Sequence, residues 1–270
     1  MAETSFDREA AIAELTAPGE PFEVTTAVVD GTEFRVFANA PENLREVYRS
    51  GLGFADKDFF VYQGERYSYQ AGWELAAQVA NQLLARGVKP GDRVGIALRN
   101  YPEWIWAFMG ITSAGAIAVA MNAWWSGEEL VYGIEDSGLD ILFVDRERLE
   151  RVTPFLDRLG IDLVTVRCQS EEHPDWASFL EDADPKMPEL AIPADTNALI
   201  MYTSGYTSRP KGVLSTHRAI IHALLSWESV AALAAKRSPE LVPDGPVGQP
   251  TMLLAVPLFH VNGLHVQLLS

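Results

Sequence analysis

The sequence is poor in cysteine and in positive charge. Cys168 is the only cysteine in 270 residues, so no intrachain disulfide can form, and a reducing cytoplasmic location is expected. We expect Cys168 to be a buried, inert thiol. Lysine and arginine number 21 against 37 acidic residues, which gives a formal net charge of −16. Such a chain repels a phosphate backbone, so a nucleic-acid partner is not expected.

Long runs without charge are also scarce. The exception is residues 104–127, which contain no charged residue and are long enough to span a bilayer. Small and polar residues interrupt this stretch, and the flanking residues are acidic rather than basic. We therefore predict a buried helix, a glycine turn and a buried strand instead of a membrane span. Peripheral membrane contact is left as an alternative.

The residues that are abundant predict a globular α/β fold. Hydrophobic residues make up 48% of the chain, with seven Trp and twelve Phe, which is enough for a substantial core. Strand-like runs occur at Val94–Leu98, Ala116–Ala120, Ile141–Val144 and Leu163–Val166. Helix-like segments fill the gaps at Pro102–Ser113, Gly127–Asp136 and Arg148–Leu159. This alternation predicts mainly parallel sheets flanked by helices.

Other segments complete this arrangement. Residues 1–40 are interpreted as an N-terminal extension, and residues 59–69 as a β-hairpin. The acidic, proline-rich stretch Pro174–Pro193 is interpreted as a surface linker. Thr216 is expected to cap a helix from His217 to about Lys236, with its positive end near the preceding loop. The apolar run Met252–Val256 is expected to be a buried strand.

The most informative stretch is Met201–Val213, a polar loop that follows an apolar, strand-like run. Hydroxyl groups and glycine-flanked amides can surround phosphate oxygens, and a lysine adds a positive charge. The residues of this type are Thr203, Ser204, Gly205, Thr207, Ser208, Arg209, Lys211 and Gly212. This composition suits a nucleoside triphosphate.

Two nucleotide-binding loops of other kinds do not fit, whereas an ordinary turn does. A Walker A loop places lysine after glycine at the start of a helix, but here Lys211 precedes Gly212 and a strand follows. A dehydrogenase fold needs a glycine-rich turn after its first strand, and residues 98–101 contain no glycine. A polar hairpin remains an alternative, because serine, threonine, glycine and proline commonly build turns.

The string of residues 202–212 resembles a known signature. It is similar to Tyr-Thr-Ser-Gly-Thr-Thr-Gly-x-Pro-Lys-Gly of the adenylate-forming, or AMP-binding, superfamily, which includes acyl-CoA synthetases. A second block, Pro257-Leu258-Phe259-His260-Val261-Asn262-Gly263, resembles the next motif of that family. The two motifs occur in the expected order.

The resemblance implies a specific chemistry and a specific set of residues. It implies ATP-dependent activation of a small carboxylic acid, here a fatty acid, to an acyl-adenylate and then to an acyl-CoA. ATP, Mg²⁺ and coenzyme A are the implied cofactors, with metal ligands unknown. His260 is implied in the catalytic site, where it would position the acid. The implied ATP-binding residues are Thr203, Ser204, Gly205, Tyr206, Thr207, Ser208, Lys211 and Gly212.

The first motif differs from the family signature at two positions. Tyr206 stands where the family usually has Thr or Ser, and Ser208 stands where it usually has Gly. A bulky phenol in this loop favours an alternative function, a non-catalytic nucleotide-binding or interaction module that retains the fold. The family's members are longer, so residues 41–270 are expected to be a partial AMP-binding domain that lacks its C-terminal half. Such a fragment is expected to have little activity by itself.

Overall fold

The computed structural model describes residues 6–203, 209–242 and 251–269. The N-terminal part contains two hairpins and three helices before the main sheet begins. Its elements are α1 (Arg8–Leu15), β1 (Val24–Val29), β2 (Thr32–Phe37), α2 (Leu44–Ser50), β3 (Asp58–Tyr62), β4 (Glu65–Ser68) and α3 (Tyr69–Ala85). The β3–β4 pair confirms the hairpin expected at 59–69.

The main sheet and its helices follow in regular alternation. In chain order they are β5 (Arg93–Ala97), α4 (Pro102–Ser113), β6 (Ile117–Ala120), α5 (Gly127–Ser137), β7 (Ile141–Val144), α6 (Arg146–Val152), α7 (Leu156–Leu159), β8 (Asp162–Thr165), α8 (Trp176–Leu180), β9 (Asn197–Tyr202), β10 (Gly212–Thr216), α9 (His217–Arg237) and α10 (Val261–Leu269).

The sheet is six-stranded, in the order β10-β9-β6-β5-β7-β8. Every pair is parallel except β9–β10, which is antiparallel. Helices α3, α4, α8, α9 and α10 pack on one face, and α5, α6 and α7 pack on the other. The predicted fold class, a mainly parallel sheet flanked by helices, is therefore confirmed. The winding direction reverses at β5, because β6 lies on one side of it and β7 on the other.

The uncharged stretch 104–127 is part of the protein core as far as Met121, whereas Trp124 and Ser126 are exposed. All residues of α4 are buried, Gly115 turns the chain with a φ of +74°, and all four residues of β6 are buried. The predicted helix, glycine turn and strand are confirmed.

One helix in the described part of the chain meets a length and hydropathy criterion for crossing a membrane. It is α9, with a mean hydropathy of 1.2 over an 18-residue window of which 17% is buried. A single helix of this kind is weak evidence, because helices of soluble proteins can meet the same criterion. The expectation that the chain has no membrane span stays a prediction.

Local sequence signals explain several element boundaries. Ser126 and Glu129 form the capping box that starts α5. The helix predicted over Arg148–Leu159 is broken, because Pro154 lies in a short 3₁₀ turn between α6 and α7. Gly160 ends α7 in the left-handed conformation that favours glycine.

Two expectations about less regular segments are wrong. The stretch Pro174–Pro193 is only partly a surface linker, because it contains α8, and Phe179 of α8 is fully buried with its ring 5.3 Å from Phe143. Residues 252–256 form no strand, and Leu253 is 93% exposed. Composition thus predicted exposure incorrectly for α8 and burial incorrectly for residues 252–256.

The N-terminal extension packs against α9. The Lys236 ammonium lies 2.6 Å from a carboxylate oxygen of Glu14, and the Phe37 amide donates to Nδ1 of His222 at 3.3 Å. The rings of Phe37 and His222 are also stacked. The boundary at residue 40 stays a prediction.

Candidate functional site at the carboxyl edge of the sheet

Loops from three parallel strands meet at the carboxyl edge of the sheet, together with the segment that leads into α10. Asn100 follows β5, Trp124 follows β6, and Thr203 follows β9. Asn100 donates to the carbonyl of Val256 at 2.8 Å, and the Trp124 ring lies 5.3 Å from that of Phe259. Open α/β sheets bind their ligands outside this edge. The two sequence motifs therefore belong to one region.

The polar loop lies between β9 and β10, as predicted, and Thr203 closes its neck. The Thr203 amide donates to the Lys211 carbonyl at 3.0 Å, and the Lys211 amide donates to the Thr203 hydroxyl at 3.3 Å. The Thr203 hydroxyl thus stabilises the turn itself, which was the alternative to phosphate binding. Its role as a phosphate donor stays a prediction. Residues 204–208, predicted to bind the phosphates, lie outside the described residues.

Helix α5 holds both strands at the neck of this loop. The Tyr202 hydroxyl donates to a carboxylate oxygen of Asp136 at 2.8 Å, and the Tyr132 hydroxyl donates to the Pro210 carbonyl at 2.9 Å. Burial and the Asp136 carboxylate raise the pKa of Tyr202, so its phenol stays protonated. The guanidinium of Arg209 lies over the Tyr132 ring at 5.1 Å. The base of the loop is therefore fixed to the helix.

Lys211 is exposed at the base of the loop. No carboxylate within the described ranges forms an ion pair with its ammonium. Gly212 is the first residue of β10 and lies opposite Tyr202. A Cβ at Gly212 would lie 3.0 Å from the Ile200 side chain, so this glycine permits close strand packing rather than an unusual backbone angle.

His260 was expected to follow a strand formed by residues 252–256. It instead follows an irregular segment and directly precedes α10. Its ring centroid is 6.1 Å from that of Trp124 and 4.6 Å from that of Phe259. Trp124 is 67% exposed, whereas its neighbour Trp125 is 6% exposed. Trp125 therefore belongs to the core, whereas Trp124 faces the edge where the loops meet.

The last glycine of the second motif is required by a close backbone approach. A Cβ at Gly263 would lie 2.1 Å from the carbonyl oxygen of Pro257, which is closer than van der Waals contact permits. The His260 amide also donates to the Pro257 carbonyl at 3.1 Å. The segment from Pro257 to Gly263 is thus one tight turn that presents His260.

Sequence reasoning missed a buried ion pair beneath this edge. Asp145 and Arg148 are 4% and 2% exposed, and the Arg148 guanidinium lies 3.2 Å from the Asp145 carboxylate. Arg148 also donates to the Ala123 carbonyl at 2.7 Å, and Asp145 accepts the Arg99 amide at 3.1 Å. The pair therefore holds the loops after β5 and β6. Asp145 is also the N-cap of α6, which is a local signal, but the contacts with Arg99 and Ala123 come from separate strands and are not visible in the local sequence.

A family comparison matches most of the chain. The family model described as AMP-binding enzyme matches residues 48–270. The chain belongs to the AMP-binding enzyme family.

Curated relatives of this chain include CoA ligases with different acids in their names. It is 34% identical over 202 residues to a feruloyl-CoA synthase of Amycolatopsis sp. That match covers 74% of this chain and 36% of the relative. It is 29% identical over 215 residues to the long-chain-fatty-acid–CoA ligase FadD13 of Mycobacterium tuberculosis. That match covers 76% of this chain and 38% of the relative. The chain thus spans little more than a third of the length of these relatives.

A solved structure supports the same fold. The N-terminal domain of FACL13 from Mycobacterium tuberculosis, solved with a bound inhibitor, has a TM-score of 0.71 and 25% sequence identity. The match covers 85% of this chain and 55% of that one.

The start of α9 lies far from the loop, contrary to expectation. Strand β10 runs from Gly212 at the loop to Thr216 at the opposite edge, where Thr216 caps α9. His217 and Arg218 follow Thr216 and so cannot offset charge at the loop. The helix itself is predicted correctly, but a strand of this length carries its N-terminus about 13 Å away.

No group of three or more metal-ligating side chains occurs in the ranges that the structure describes. The magnesium ligands that the family resemblance implies are thus not assigned to residues of these ranges.

Proposed function

We propose that the protein takes part in the ATP-dependent activation of a carboxylic acid. The carboxylate attacks the α-phosphorus of ATP, giving an acyl-adenylate and pyrophosphate. The thiol of coenzyme A then displaces AMP to form an acyl-CoA. Membership of the family supports this reaction class. Because the chain spans only part of its relatives' length, the complete reaction is part of the proposal.

The observation that carries the proposal is the exposed ammonium of Lys211 at the base of the β9–β10 loop. Negative charge develops on pyrophosphate as it leaves, and a fixed cation stabilises that charge. Tyr202 and Tyr132 fix the base of the loop to α5, which limits the reorganisation that binding requires. Magnesium enters the proposal only as the counter-ion of ATP.

His260 is proposed to orient the carboxylic acid rather than to transfer a proton. Its ring packs beside Trp124 and Phe259, which restricts its rotamers. A fixed ring at the edge where the loops meet can hold a carboxylate in line with the α-phosphorus. Ser204, Gly205, Tyr206, Thr207 and Ser208 are proposed to surround the phosphates.

The proposed acid is a fatty acid. Similarity to the long-chain-fatty-acid–CoA ligase FadD13 supports this choice. Similarity to a feruloyl-CoA synthase supports an aryl acid instead. Binding affinities measured by calorimetry for a panel of fatty acids and hydroxycinnamic acids separate the two. A preference for the hydroxycinnamic acids would reject the fatty-acid assignment.

Isothermal titration calorimetry with MgATP tests the proposal. We expect the wild-type protein to bind MgATP and Lys211→Ala to bind it at least about tenfold more weakly, because a charge-assisted contact is lost. Lys186→Ala is the matched control, since Lys186 is an exposed lysine that lies away from the carboxyl edge of the sheet. It should bind MgATP as the wild type does.

Tyr206 and Ser208 favour one other function. Their side chains are larger than those that the family usually has at these positions, so they can exclude the phosphates. The protein would then be a non-catalytic interaction module that retains the fold. A folded wild-type protein that gives no heat with MgATP would reject the first function and favour the second.

A further inference from the structure

The segment that carries Phe259 and His260 depends on one distant side chain for its position. Residues 251–257 form neither helix nor strand. Asn100 donates to the carbonyl of Val256 at 2.8 Å and to that of Leu254 at 3.5 Å, and its Oδ1 accepts the amide of Leu258 at 2.9 Å. The three groups belong to residues 254, 256 and 258, so one side chain holds three alternate residues of the segment.

These contacts are not a by-product of helix capping. Asparagine often caps a helix through its side-chain oxygen. Here the N-cap of α4 is Tyr101, followed by Pro102, and Asn100 lies one residue earlier. The Asn100 oxygen is used instead by Leu258, which is 158 residues away in the chain. Its side chain therefore holds a tertiary contact.

The support beneath Asn100 is rigid. Leu98 is fully buried, and the Arg99 amide donates to the buried carboxylate of Asp145. Asp145 is paired with Arg148, whose guanidinium also holds the carbonyl of Ala123. Ala123 precedes Trp124, the ring that contacts Phe259 and His260. One buried ion pair thus supports both contacts that fix the end of the segment.

We propose that Asn100 is a positioning residue, which sets the place of Phe259 and His260 against Trp124 by clamping the backbone of residues 254–258. The consequence for catalysis rests on the function proposed above, in which His260 orients the acid. The hydrogen bonds of Asn100 to residues 254–258 do not depend on that function, so experiments can reject the proposed function and the role of Asn100 independently.

The test uses Asn100→Ala and Asn100→Asp in the full chain. The alanine removes all three hydrogen bonds, whereas the aspartate keeps an acceptor for the Leu258 amide and loses both donors. Asn81→Ala is the matched control, because Asn81 clamps the carbonyls of Asp184 and Lys186 at 2.7 and 2.8 Å in another part of the molecule. All three variants remove the same kind of side chain.

Two spectroscopic readouts report the position of the segment. Fluorine NMR of protein labelled with 5-fluorotryptophan gives one resonance for each of the seven tryptophans, and Trp124→Phe assigns that of Trp124. We expect this resonance to shift or broaden in Asn100→Ala while those of the buried tryptophans stay in place. The amide of Leu258 should exchange with deuterium about tenfold faster, since it loses its acceptor. In Asn100→Asp it should exchange at an intermediate rate.

A folded Asn100→Ala protein with an unchanged Trp124 resonance and an unchanged Leu258 exchange rate would overturn the proposal. The proposal would also fail if Asn81→Ala changed the Trp124 resonance and the Leu258 exchange rate as much as Asn100→Ala does. If Asn100→Ala does not fold, the wild-type protein still decides. Protection of the Leu258 amide supports the clamp, and exchange at the rate of an unstructured peptide rejects it.

Binding measurements then connect the clamp to the site. In Asn100→Asp we expect the Kd for the acid to rise several-fold, with the Kd for MgATP unchanged, because only the acid is oriented by His260. An equal rise in both Kd values would show a general structural role and overturn the positioning assignment. If the wild type does not bind MgATP, the proposed function fails, while the NMR and exchange results still decide the role of Asn100.

Discussion

The two ends of the β9–β10 hairpin differ in whether their basic side chains are exposed and unpaired or are held by other groups of the protein. At the loop end, Lys211 is exposed and has no carboxylate partner in the described part of the chain. At the other end, His217 is fully buried, and Arg218 forms two hydrogen bonds to Asp195, at 2.5 and 2.9 Å. The same two strands join these ends, so local secondary structure does not account for the difference.

The comparison separates groups that stabilise the fold from groups that are available to a ligand. A cation that is already paired contributes to stability, and binding a ligand would first break its contacts. An unpaired cation contributes little to folding and can bind an anion without that loss. We therefore expect substitutions at the α9 end to change stability and substitutions at Lys211 to change binding.

The largest expected effect concerns His217. Its Nδ1 accepts the amide of Leu44 at 3.2 Å, and burial, with the nearby Arg45 charge, lowers the pKa of His217 to about 4. The unfolded chain binds this proton first, near its ordinary pKa of about 6.5. Stability contributed by the neutral ring is complete above pH 6.5 and falls by about 3 kcal/mol as the pH drops to 4.

Urea unfolding between pH 7 and pH 4 measures this effect. His217→Asn keeps a possible acceptor for the Leu44 amide and removes the titration, so its stability should change less across this range. A variant whose loss of stability between pH 6.5 and 4 equals that of the wild type would contradict the assignment.

A smaller effect is expected at the neck of the loop. Tyr202→Phe removes the hydrogen bonds to Asp136 and Gly133, so we expect a loss of about 1 to 2 kcal/mol in urea unfolding. Tyr132→Phe removes the bond to the Pro210 carbonyl and a longer one, of 3.4 Å, to Asp136, and is the matched comparison on the other side of the loop. A larger loss for Tyr132→Phe would reverse the order that the geometry predicts.

At the α9 end, Arg218→Ala should cost about 0.5 to 1 kcal/mol. The Arg218 and Asp195 side chains are 28% and 44% exposed, so solvent screens the pair. The difference from the wild type should shrink in 1 M salt, where the Debye length is about 3 Å. Affinity for MgATP should not change, and a tenfold loss would break the proposed separation between the two ends.

The smallest change in stability is expected for Lys211→Ala, at under about 0.5 kcal/mol in the same unfolding assay. The exposed side chain makes no ion pair in the described ranges, so its removal leaves the folded protein with the same contacts. A loss comparable to that of Tyr202→Phe would show that Lys211 supports the loop, and would weaken its assignment to the phosphates.

Much of the fold follows from local patterns in the sequence. The strands β5, β6, β7 and β8 and the helices α4, α5 and α9 lie within two residues of their predicted bounds. Apolar runs, capping residues and prolines act over a few residues, so they are readable along the chain. Residues 252–256 show the limit, because Asn100 takes up their carbonyls where a strand partner was expected.

The candidate site was predictable only in part. The polar loop and the second motif were identified, and Gly263 has the close backbone contact that a motif glycine suggests. Asn100, Asp145 and Arg148 were missed, because single residues of these types occur throughout the surface of any acidic protein. Only their partners from other strands distinguish them.

The sequence by itself determined which segments along the chain become strands and helices from β5 onward, and it located the loop that precedes Lys211. These features depend on neighbours within a few residues. Only the tertiary structure decided that α9 begins at the edge opposite that loop, and that Asn100 holds the segment before His260. Both depend on strand direction and on contacts between residues far apart in the chain. The first follows from the antiparallel pairing of β10 with β9, and the second from a contact that spans 158 residues.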